Sequence, residues 1–544
     1  MTEKNTFTRR TKTLIIAVSV LLFLVLCLFG AELWLKHEIR TVIEKEATAL
    51  TDDGGMQVGV GRISVGILTR TVSVRDIRLR SQNEDPEHSG FTLVSLDAGV
   101  RKISLRGIGY KKNNGKPALS AVSVEIDAPY ATVVTKGEKP EKEGGAGKKT
   151  LQQSITEKLS SITVGSIRIS RAKLEYVAWK DSRDGTRIGL ENGGLKIDGL
   201  MVDSLPAAAG KVLFSDGIAF TAGRVSYGYD AGDFVLQADT LSLNTADGSF
   251  YVKTAALIPQ YPKDEFAQKS PEHSDWTEFT LRELICSGVG YAALVNDKTL
   301  TVDSLSFASG RIASYKNRQV WQEPRVKPLL YQTIQDLPFG IDVKKMSFTG
   351  LDVEYDELAL DGDSPGVVTF TKGVGTAHNI TNIVENHDRF MTIDMAADFM
   401  ANSPLHAVLH FPVNPQDNRW EAKGKLGVMD PVVLNRAIEP LANIKVKTGT
   451  IQSIDFHITA TPEQSHTALT MLYDDLSVAF MKKHEGKERR FITFIADEMI
   501  LRKSNPGNNG NVRQGEGDFT RDPHKSMYNF MWKSLFQGIK DTVL

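Results

Sequence analysis

The chain has 544 residues, more than one ordinary domain needs, and its 41% hydrophobic and 24% charged residues are typical of a folded protein. Its formal net charge of −1 provides no basic field for a phosphate backbone, which argues against nucleic-acid binding. With only two cysteines, Cys27 and Cys286, a disulfide framework and a cysteine-built zinc site are excluded.

An apolar run, TLIIAVSVLLFLVLCLFGAELWL, occupies residues 13–35 and contains Glu32 as its single charge. At about 1.5 Å per residue it reaches roughly 34 Å, enough to cross a bilayer core. Arg9, Arg10 and Lys12 precede it, which places residues 1–12 in the cytoplasm. No A-x-A cleavage site follows promptly, and Leu26 stands before Cys27 where a lipoprotein signal has a small residue. We therefore expect an uncleaved anchor and an extracytoplasmic remainder.

After the anchor the sequence first favours a short helix and then β-strands. Residues 36–50 continue as a helix that the turn sequence TDDGG closes. From Gln57 onward apolar residues alternate, as in VSVRDIRLR, AVSVEIDAPYATVV, LTVDSLSF and PLHAVLHFPV. In LTVDSLSF the alternation slips by one residue between Val302 and Leu305, which predicts a β-bulge. Such runs recur to about Ile500, so the protein is expected to be mainly β.

Helices are predicted at few places in this β pattern. QQSITEKLSSI, KPLLYQTIQDL and DPVVLNRAIEPLANI each predict a short helix, the last with Asp430 as N-cap and Pro431 at its first position. The polar, glycine-rich residues 505–525 predict a flexible linker. Residues 526–544 predict an amphipathic helix that begins at Ser526.

The C-terminal helix has two possible uses. It can cover the protein's own sheet, or it can lie in a membrane interface, where Trp532 and Tyr528 suit the headgroup level. So many apolar and aromatic residues favour a binding role over a passive tail. The candidate lid or membrane-contacting residues are Phe530, Met531, Trp532, Leu535, Phe536 and Ile539.

These signals divide the chain into consecutive segments. The cytoplasmic tail and the anchor come first, followed by the N-terminal helix with a first β-module, a charged linker, two larger β-regions, the flexible linker and the amphipathic helix. In order, the expected segments are residues 1–12, 13–35, 36–135, 136–150, 151–330, 331–504, 505–525 and 526–544.

Three segments resemble one another: VGVGRISVGILTRTVSVRDIRLR near residue 58, ITVGSIRISRAKLEYV near residue 162 and IDVKKMSFTGLDVEYDEL near residue 341. The order of anchor, short helix and first segment, together with LPFGIDVKKMSFTGLDVEYDEL, GVVTFTKGVGTAHNITN, KGKLGVMDPVVLNRAIEPLANIKVKTGTIQSIDFHIT and LTMLYDDLSVAFMKK, resembles the AsmA-like family. This family belongs to the superfamily of Gram-negative envelope proteins that includes TamB.

The resemblance implies a mainly β fold in which an N-terminal transmembrane helix precedes an elongated, curved antiparallel β-sheet groove with few short helices. It implies a single-pass inner-membrane protein whose bulk is periplasmic. Such a protein is expected to bind or convey phospholipid along an apolar groove and to contribute to outer-membrane lipid homeostasis or biogenesis. Its partners would be phospholipid acyl chains, the inner membrane, and outer-membrane or envelope proteins.

Alternation alone leaves the fold and the function open. One apolar sheet face must be covered by a second sheet, a helix or a ligand, so a closed sandwich or barrel fits the pattern as well as a groove does. A non-catalytic scaffold for envelope assembly is the alternative function. On the groove hypothesis the inward-facing residues are Leu300, Val302, Leu305, Phe307, Leu469, Met471, Leu476, Val478 and Phe480.

No motif in the sequence indicates catalysis. H-E-x-x-H does not occur, and GVGRIS lacks the lysine of a phosphate-binding loop. His406 and His410 lie on one face of a strand, where solvation is the ordinary state. Asp361 and Asp363 lack the final glutamate of an EF-hand. We therefore expect no enzymatic activity, no cofactor and no metal site.

Overall fold

A computed structural model describes residues 56–66, 69–82, 92–113, 115–136, 151–180, 183–205, 210–229, 233–269, 275–321, 324–385, 389–400, 403–480 and 502–544. Within them the chain is mainly β, as predicted, with 22 strands in a mixed sheet. None of the described helices combines the length and hydropathy needed to cross a membrane. The predicted anchor and the helix at 36–50 lie outside the described residues.

The chain divides into two compact units, residues 1–253 and 254–544. The described part of unit 1 contains one helix, α1 (Leu151–Lys158). Its strands are β1 (Met56–Gly59), β2 (Ile63–Gly66), β3 (Thr71–Gln82), β4 (Thr92–Arg106), β5 (Gly109–Asn113), β6 (Lys116–Lys136), β7 (Ser161–Lys180), β8 (Arg183–Asp203), β9 (Gly217–Tyr229) and β10 (Phe234–Asn244), and β11 (Ser249–Pro259) crosses the boundary.

Unit 2 holds the remaining elements that the structure describes. Its strands are β12 (Trp276–Ser287), β13 (Thr299–Phe307), β14 (Ser309–Asn317), β15 (Gly340–Leu358), β16 (Gly366–Thr381), β17 (Phe390–Phe399), β18 (Ser403–Pro412), β19 (Trp420–Leu426), β20 (Ile444–Ala460), β21 (Gln464–Phe480) and β22 (Gly515–Thr520). Its helices are α2 (Lys263–Lys269), α3 (Tyr291–Asp297), α4 (Leu330–Gln335), a 3₁₀ turn (Pro431–Leu434), α5 (Asn435–Ala442) and α6 (Met527–Val543).

The sheet is mixed, which corrects the expectation of a purely antiparallel one. Strand β6 runs parallel to β7, and β13 and β14 both run parallel to β15. Parallel neighbours need a crossover connection. Helix α1 lies between β6 and β7 in sequence, and α4 lies between β14 and β15. Two of the three mutually similar segments, near 162 and 341, are the strands that follow these crossovers.

In strands of unit 1 the alternation of side chains between the two faces shifts by one residue at matching positions. Because the shifts match, the strands stay paired on both sides of them. In β3 two consecutive residues, Arg75 and Asp76, are exposed, and Asp76 has a φ of 56°. Ala128 in β6 and Arg171 in β7 lie on the same line across the sheet and have φ values of 48° and 56°. Because each strand turns two successive residues outward at this line, apolar residues on both sides of it return to one face.

The shift in alternation predicted for β13 is matched by the same shift in its neighbour β15, so no bulge forms between these two strands. The register of β13 with β15 is constant from Thr299 to Phe307. Opposite the slip, the consecutive residues Lys344 and Lys345 of β15 are both exposed. The next strand, β16, has Asn379 at this line with a φ of 60°. A local twist that repeats in adjacent strands therefore preserves the ladder.

Candidate functional site

One face of the unit 1 sheet carries rows of apolar side chains that cross seven strands, β3, β4 and β6–β10. We term the two rows together the apolar face. One row consists of Val74, Ile103, Ile126, Ile169, Leu195, Phe220 and Leu243, and the other of Leu79, Ala98, Ala131, Leu174, Leu190, Val225 and Ala238.

The opposite face of these strands is polar and bears ion pairs between neighbouring strands. Arg224 Nε donates to Asp239 Oδ1 at 2.7 Å, and Arg101 Nε donates to Asp127 Oδ2 at 2.7 Å. Arg171 also pairs with Asp127. The hydrogen bond from Arg101, helped by Arg171, holds the pKa of Asp127 below its ordinary value. The two faces therefore differ sharply in the chemistry that they offer to a ligand.

Burial of the apolar face is deepest where the row of Val74 crosses β3 and β4. Val74 and Ile103 lie in a core cluster with exposed fractions of 3% and 7%. Leu190 and Val225, in the middle of the sheet, are only half-buried. A second layer of protein would bury residues in such central positions almost completely. Within the described part of the chain, the apolar face is therefore only partly covered over β6–β10.

The two ends of the apolar face also differ in how well they are covered. At one end, Ile155 of α1 and Leu159 pack against Ile162 and Val164 of β7. At the other, Tyr227 and Leu236 pair across β9 and β10, and each is 44% exposed. Helix α1 thus covers one margin, while the far strands present large apolar side chains to their surroundings.

The apolar face is large for a monomeric surface. Its partly covered portion spans the five strands β6–β10, which at about 4.8 Å spacing cover roughly 19 Å across the sheet. Along β7, the nine residue steps from Ile167 to Tyr176 cover about 30 Å. The resulting footprint, on the order of 600 Å², is at the upper end of the roughly 300–600 Å² of the largest apolar patch on a typical monomer. Patches of that size are often functional.

The lining residues predicted from sequence lie in unit 2, and the structure places several of them in a packed core. Val302, Leu469 and Met471 are at most 4% exposed, and Leu476 is 9% exposed. Leu300, Leu305 and Val478 are half-buried, as is Phe307, whose ring stacks on Phe348 with centroids 5.5 Å apart. The side chain of Phe480 lies outside the described part of the structure. The openness expected for these positions is found instead on unit 1.

Helix α6 packs on the sheet of unit 2, so the intramolecular use of this helix is the one that the structure shows. Phe530 is 1% exposed, and its ring centroid lies 5.7 Å from that of Trp420. The hydroxyls of Ser534 and Ser465 are 2.6 Å apart. A Cβ added at Gly538 would lie 2.7 Å from Leu469 Cδ2. Helix and strand therefore approach as closely as glycine permits.

The buried stripe of α6 differs from the face that sequence reasoning emphasised. Met531, Leu535 and Ile539 pack partly buried against the core clusters. Trp532 and Phe536 are half-buried, with ring centroids 6.4 Å apart. The residues at the centre of the contact are Phe530, Ser534, Gly538 and Thr542. Small residues at a spacing of four are the signal that sequence reasoning passed over.

Part of the predicted flexible linker is ordered structure. Strand β22 pairs with β21, and Asn505 is fully buried. The Asn505 side-chain amide donates to the Met471 carbonyl at 2.6 Å and to the Arg513 carbonyl at 2.9 Å. These hydrogen bonds and the strand pairing outweigh the flexibility that glycine-rich composition predicts. The segment is a connection built into the sheet.

The polar residues singled out from sequence are exposed or make local contacts. His406 Nε2 lies 2.8 Å from Asp394 Oδ1, and His410 Nδ1 lies 3.1 Å from Thr392 Oγ1. Asp361 and Asp363 are exposed. Across the described ranges no group of three or more His, Cys, Asp or Glu residues is placed to hold a metal ion.

Comparison with known proteins gives no matching family model, curated protein or solved structure.

Proposed function

We propose that this protein is a non-catalytic envelope protein that binds phospholipid acyl chains on the apolar face and conveys them. In this proposal residues 13–35 anchor it in the inner membrane, and the bulk of the chain is periplasmic and contributes to outer-membrane lipid homeostasis. The observation that supports acyl-chain binding is the partly exposed apolar face backed by a polar one. The resemblance to the AsmA-like family supports the compartment and a groove-like sheet.

Acyl chains suit such a surface because their binding needs no specific polar partner. Burial of apolar area contributes about 25 cal/mol per Å², or roughly 0.8 kcal/mol per buried CH₂ group. The acyl region of one leaflet is about 15 Å deep, half of the roughly 30 Å bilayer core. A partly covered face of about 19 Å by 30 Å therefore has room for whole chains, while headgroups remain in water at its margin.

Val225 and Ser226 provide a matched test because they are adjacent in β9 and face opposite sides of the sheet. Val225 pairs with Leu190 and Ala238 on the apolar face, whereas Ser226 pairs with Gly189 and Gln237. Val225→Asp should lower lipid binding, because a carboxylate on this surface is costly to bury under an acyl chain. Ser226→Asp adds the same charge to the polar face and should leave lipid binding unchanged.

The measurement is photocrosslinking of the full-length chain in cells fed a photoactivatable fatty acid, with limited proteolysis as the control for folding. We expect strong lipid labelling of the wild type and of Ser226→Asp, and weak labelling of Val225→Asp. Equal labelling of the two variants would contradict binding at the apolar face. An unlabelled wild type would instead favour the scaffold function.

A further inference from the structure

The hairpin of β5 and β6 in unit 1 projects from the sheet with basic and aromatic side chains. Its two strands pair from Gly109↔Ser120 to Asn113↔Lys116. Tyr110, Lys111 and Lys112 are consecutive in β5 and all exposed. Because successive residues of a strand point to opposite faces, β5 is exposed on both of its faces. Residues 107–124 contain three lysines and no aspartate or glutamate, so the hairpin carries net positive charge.

Helix α1 connects this hairpin to the loop that follows β8. The Lys116 ammonium group of the hairpin donates to the Thr156 carbonyl of α1 at 2.8 Å. Near the other end of the helix, the side-chain amide of Gln152 donates to the Leu205 carbonyl at 2.6 Å. These two contacts place the hairpin and the loop after β8 at the same end of the unit 1 strands.

The same loop ends in a two-residue turn, Leu213 and Phe214, whose backbone is strained. Ser215 N donates to the Val212 carbonyl at 3.0 Å, and the two turn residues have φ values of 48° and 63°. Hairpin turns with positive φ at both central positions favour Asn-Gly, and bulky apolar residues rarely adopt this conformation. Met201 N donates to the Phe214 carbonyl at 2.9 Å, which ties the turn to the end of β8.

Packing within the protein does not account for a leucine in this strained position. Leu213 is 59% exposed, and Leu205 in the same loop is 65% exposed. Strained backbone is retained at places where it serves a function. Tyr110 of the neighbouring hairpin is 54% exposed. We term Tyr110, Lys111, Lys112, Leu205 and Leu213 the rim. It displays apolar and cationic side chains together at one end of unit 1.

The carboxylates beside Leu205 and Leu213 have local partners. Asp203 Oδ1 accepts a 2.8 Å hydrogen bond from Leu205 N. Asp216 Oδ1 lies 2.8 Å from Lys211 Nζ, so this pair adds no net charge. The hairpin lysines therefore give the rim its positive sign.

We propose that the rim docks on the surface of a membrane that contains anionic phospholipid. A bilayer interface accepts separate protruding apolar side chains without a shaped pocket, and a tyrosine ring suits the headgroup level. Lysines near the surface attract anionic headgroups, each raising the affinity about fivefold. Such docking would hold unit 1 against a membrane, and it does not depend on acyl-chain binding to the apolar face.

The test uses the full-length chain in nanodiscs of phosphatidylcholine, mixed with vesicles of phosphatidylglycerol or of phosphatidylcholine and separated by flotation. We expect the wild type to float with phosphatidylglycerol vesicles, less at high salt, and to float poorly with phosphatidylcholine vesicles. Lys111→Gln combined with Lys112→Gln should weaken binding to phosphatidylglycerol vesicles by roughly thirtyfold, two contributions of about fivefold. The control combines Lys344→Gln with Lys345→Gln, at consecutive exposed lysines of β15 in unit 2, and should bind as the wild type does.

Leu213→Asn separates docking from folding. Asparagine tolerates positive φ, so the thermal unfolding midpoint should be unchanged or higher. Loss of the apolar tip should nevertheless weaken binding to phosphatidylglycerol vesicles by roughly tenfold, the effect of partly burying a leucine side chain. Leu360→Asn is the matched control, because Leu360 is 61% exposed in a turn of unit 2. It should bind as the wild type does.

Several outcomes would overturn the proposal. They are equal flotation of the wild type with the two kinds of vesicle, flotation with neither, full binding by the Leu213→Asn variant or by the Lys111 and Lys112 double variant, and equal losses in the controls. Val225→Asp, which alters the apolar face, should float as the wild type does. Flotation and lipid labelling therefore test the two proposals separately, and either proposal can fail alone.

Discussion

Replacing Phe530 with alanine should lower the free energy of unfolding of unit 2 by about 3–5 kcal/mol. Phe530 is 1% exposed, and its ring centroid lies 5.7 Å from that of Trp420 and 6.1 Å from that of Phe519. The substitution removes a fully buried ring and two aromatic contacts worth about 0.5–1.5 kcal/mol each. Typical domain stability is about 5–15 kcal/mol, so this loss is a large share of the total.

Phe536→Ala is the matched control, because it makes the same chemical change in the same helix. Phe536 is half-buried, and its nearest aromatic partner is Trp532, at 6.4 Å on the same helix. Removal of the Phe536 ring should lower the free energy of unfolding by about 1–2 kcal/mol, less than the loss of a fully buried side chain. Urea unfolding of the full-length chain is followed by far-UV circular dichroism. The urea midpoint of Phe530→Ala should lie about 1–2 M below that of the wild type.

The comparison tests which face of α6 contacts the sheet. If Phe536→Ala costs as much as Phe530→Ala or more, the helix is held by its Trp532 and Phe536 side. The assignment of Phe530, Ser534 and Gly538 to the contact would then be refuted.

Tyr331→Phe should leave the free energy of unfolding at neutral pH unchanged or slightly higher, because the buried hydroxyl has no hydrogen-bond partner among the described residues. Burial raises the pKa of Tyr331 to about 12, whereas an unfolded tyrosine titrates near 10, so the unfolded chain loses this proton first. The resulting stabilisation is complete below about pH 10 and is lost as the pH rises toward about 12. Urea unfolding at about pH 9 and about pH 11 should therefore show a larger loss for the wild type than for Tyr331→Phe, and equal losses would contradict this. For the predicted anchor, a reporter fused after about residue 60 should be active only in the periplasm, and cytoplasmic activity would reverse the topology.

Local chemistry in the sequence determined where several elements begin. Asp430 accepts a 2.9 Å hydrogen bond from Val432 N at the start of the predicted helix, with Pro431 following it. Ser526 accepts a 3.3 Å hydrogen bond from Asn529 N at the start of α6. Caps of this kind act within three residues, so they can be read without knowledge of the fold.

Alternation likewise determined that the chain is mainly β, and the slip between Val302 and Leu305 was visible in LTVDSLSF. The sequence of one strand did not show that the slip continues into β15 and β16. That property depends on register, which pairs residues far apart in the chain. The same reason kept the apolar face hidden, because its rows join residues from seven strands.

Only the tertiary structure decided which side of α6 is buried and that the segment containing β22 is ordered. Apolar side chains occupy most of the circumference of α6, so its composition does not select one buried side. Close packing selects it: Gly538 and Ser534 allow the backbone to approach β21, and Gly515 of β22 lies so near that an added Cβ would be 2.1 Å from the Gly538 carbonyl oxygen. The sequence by itself determined strands, caps and periodicity because these depend on near neighbours. Only the folded chain decided which faces meet, because steric fit is a property of both partners.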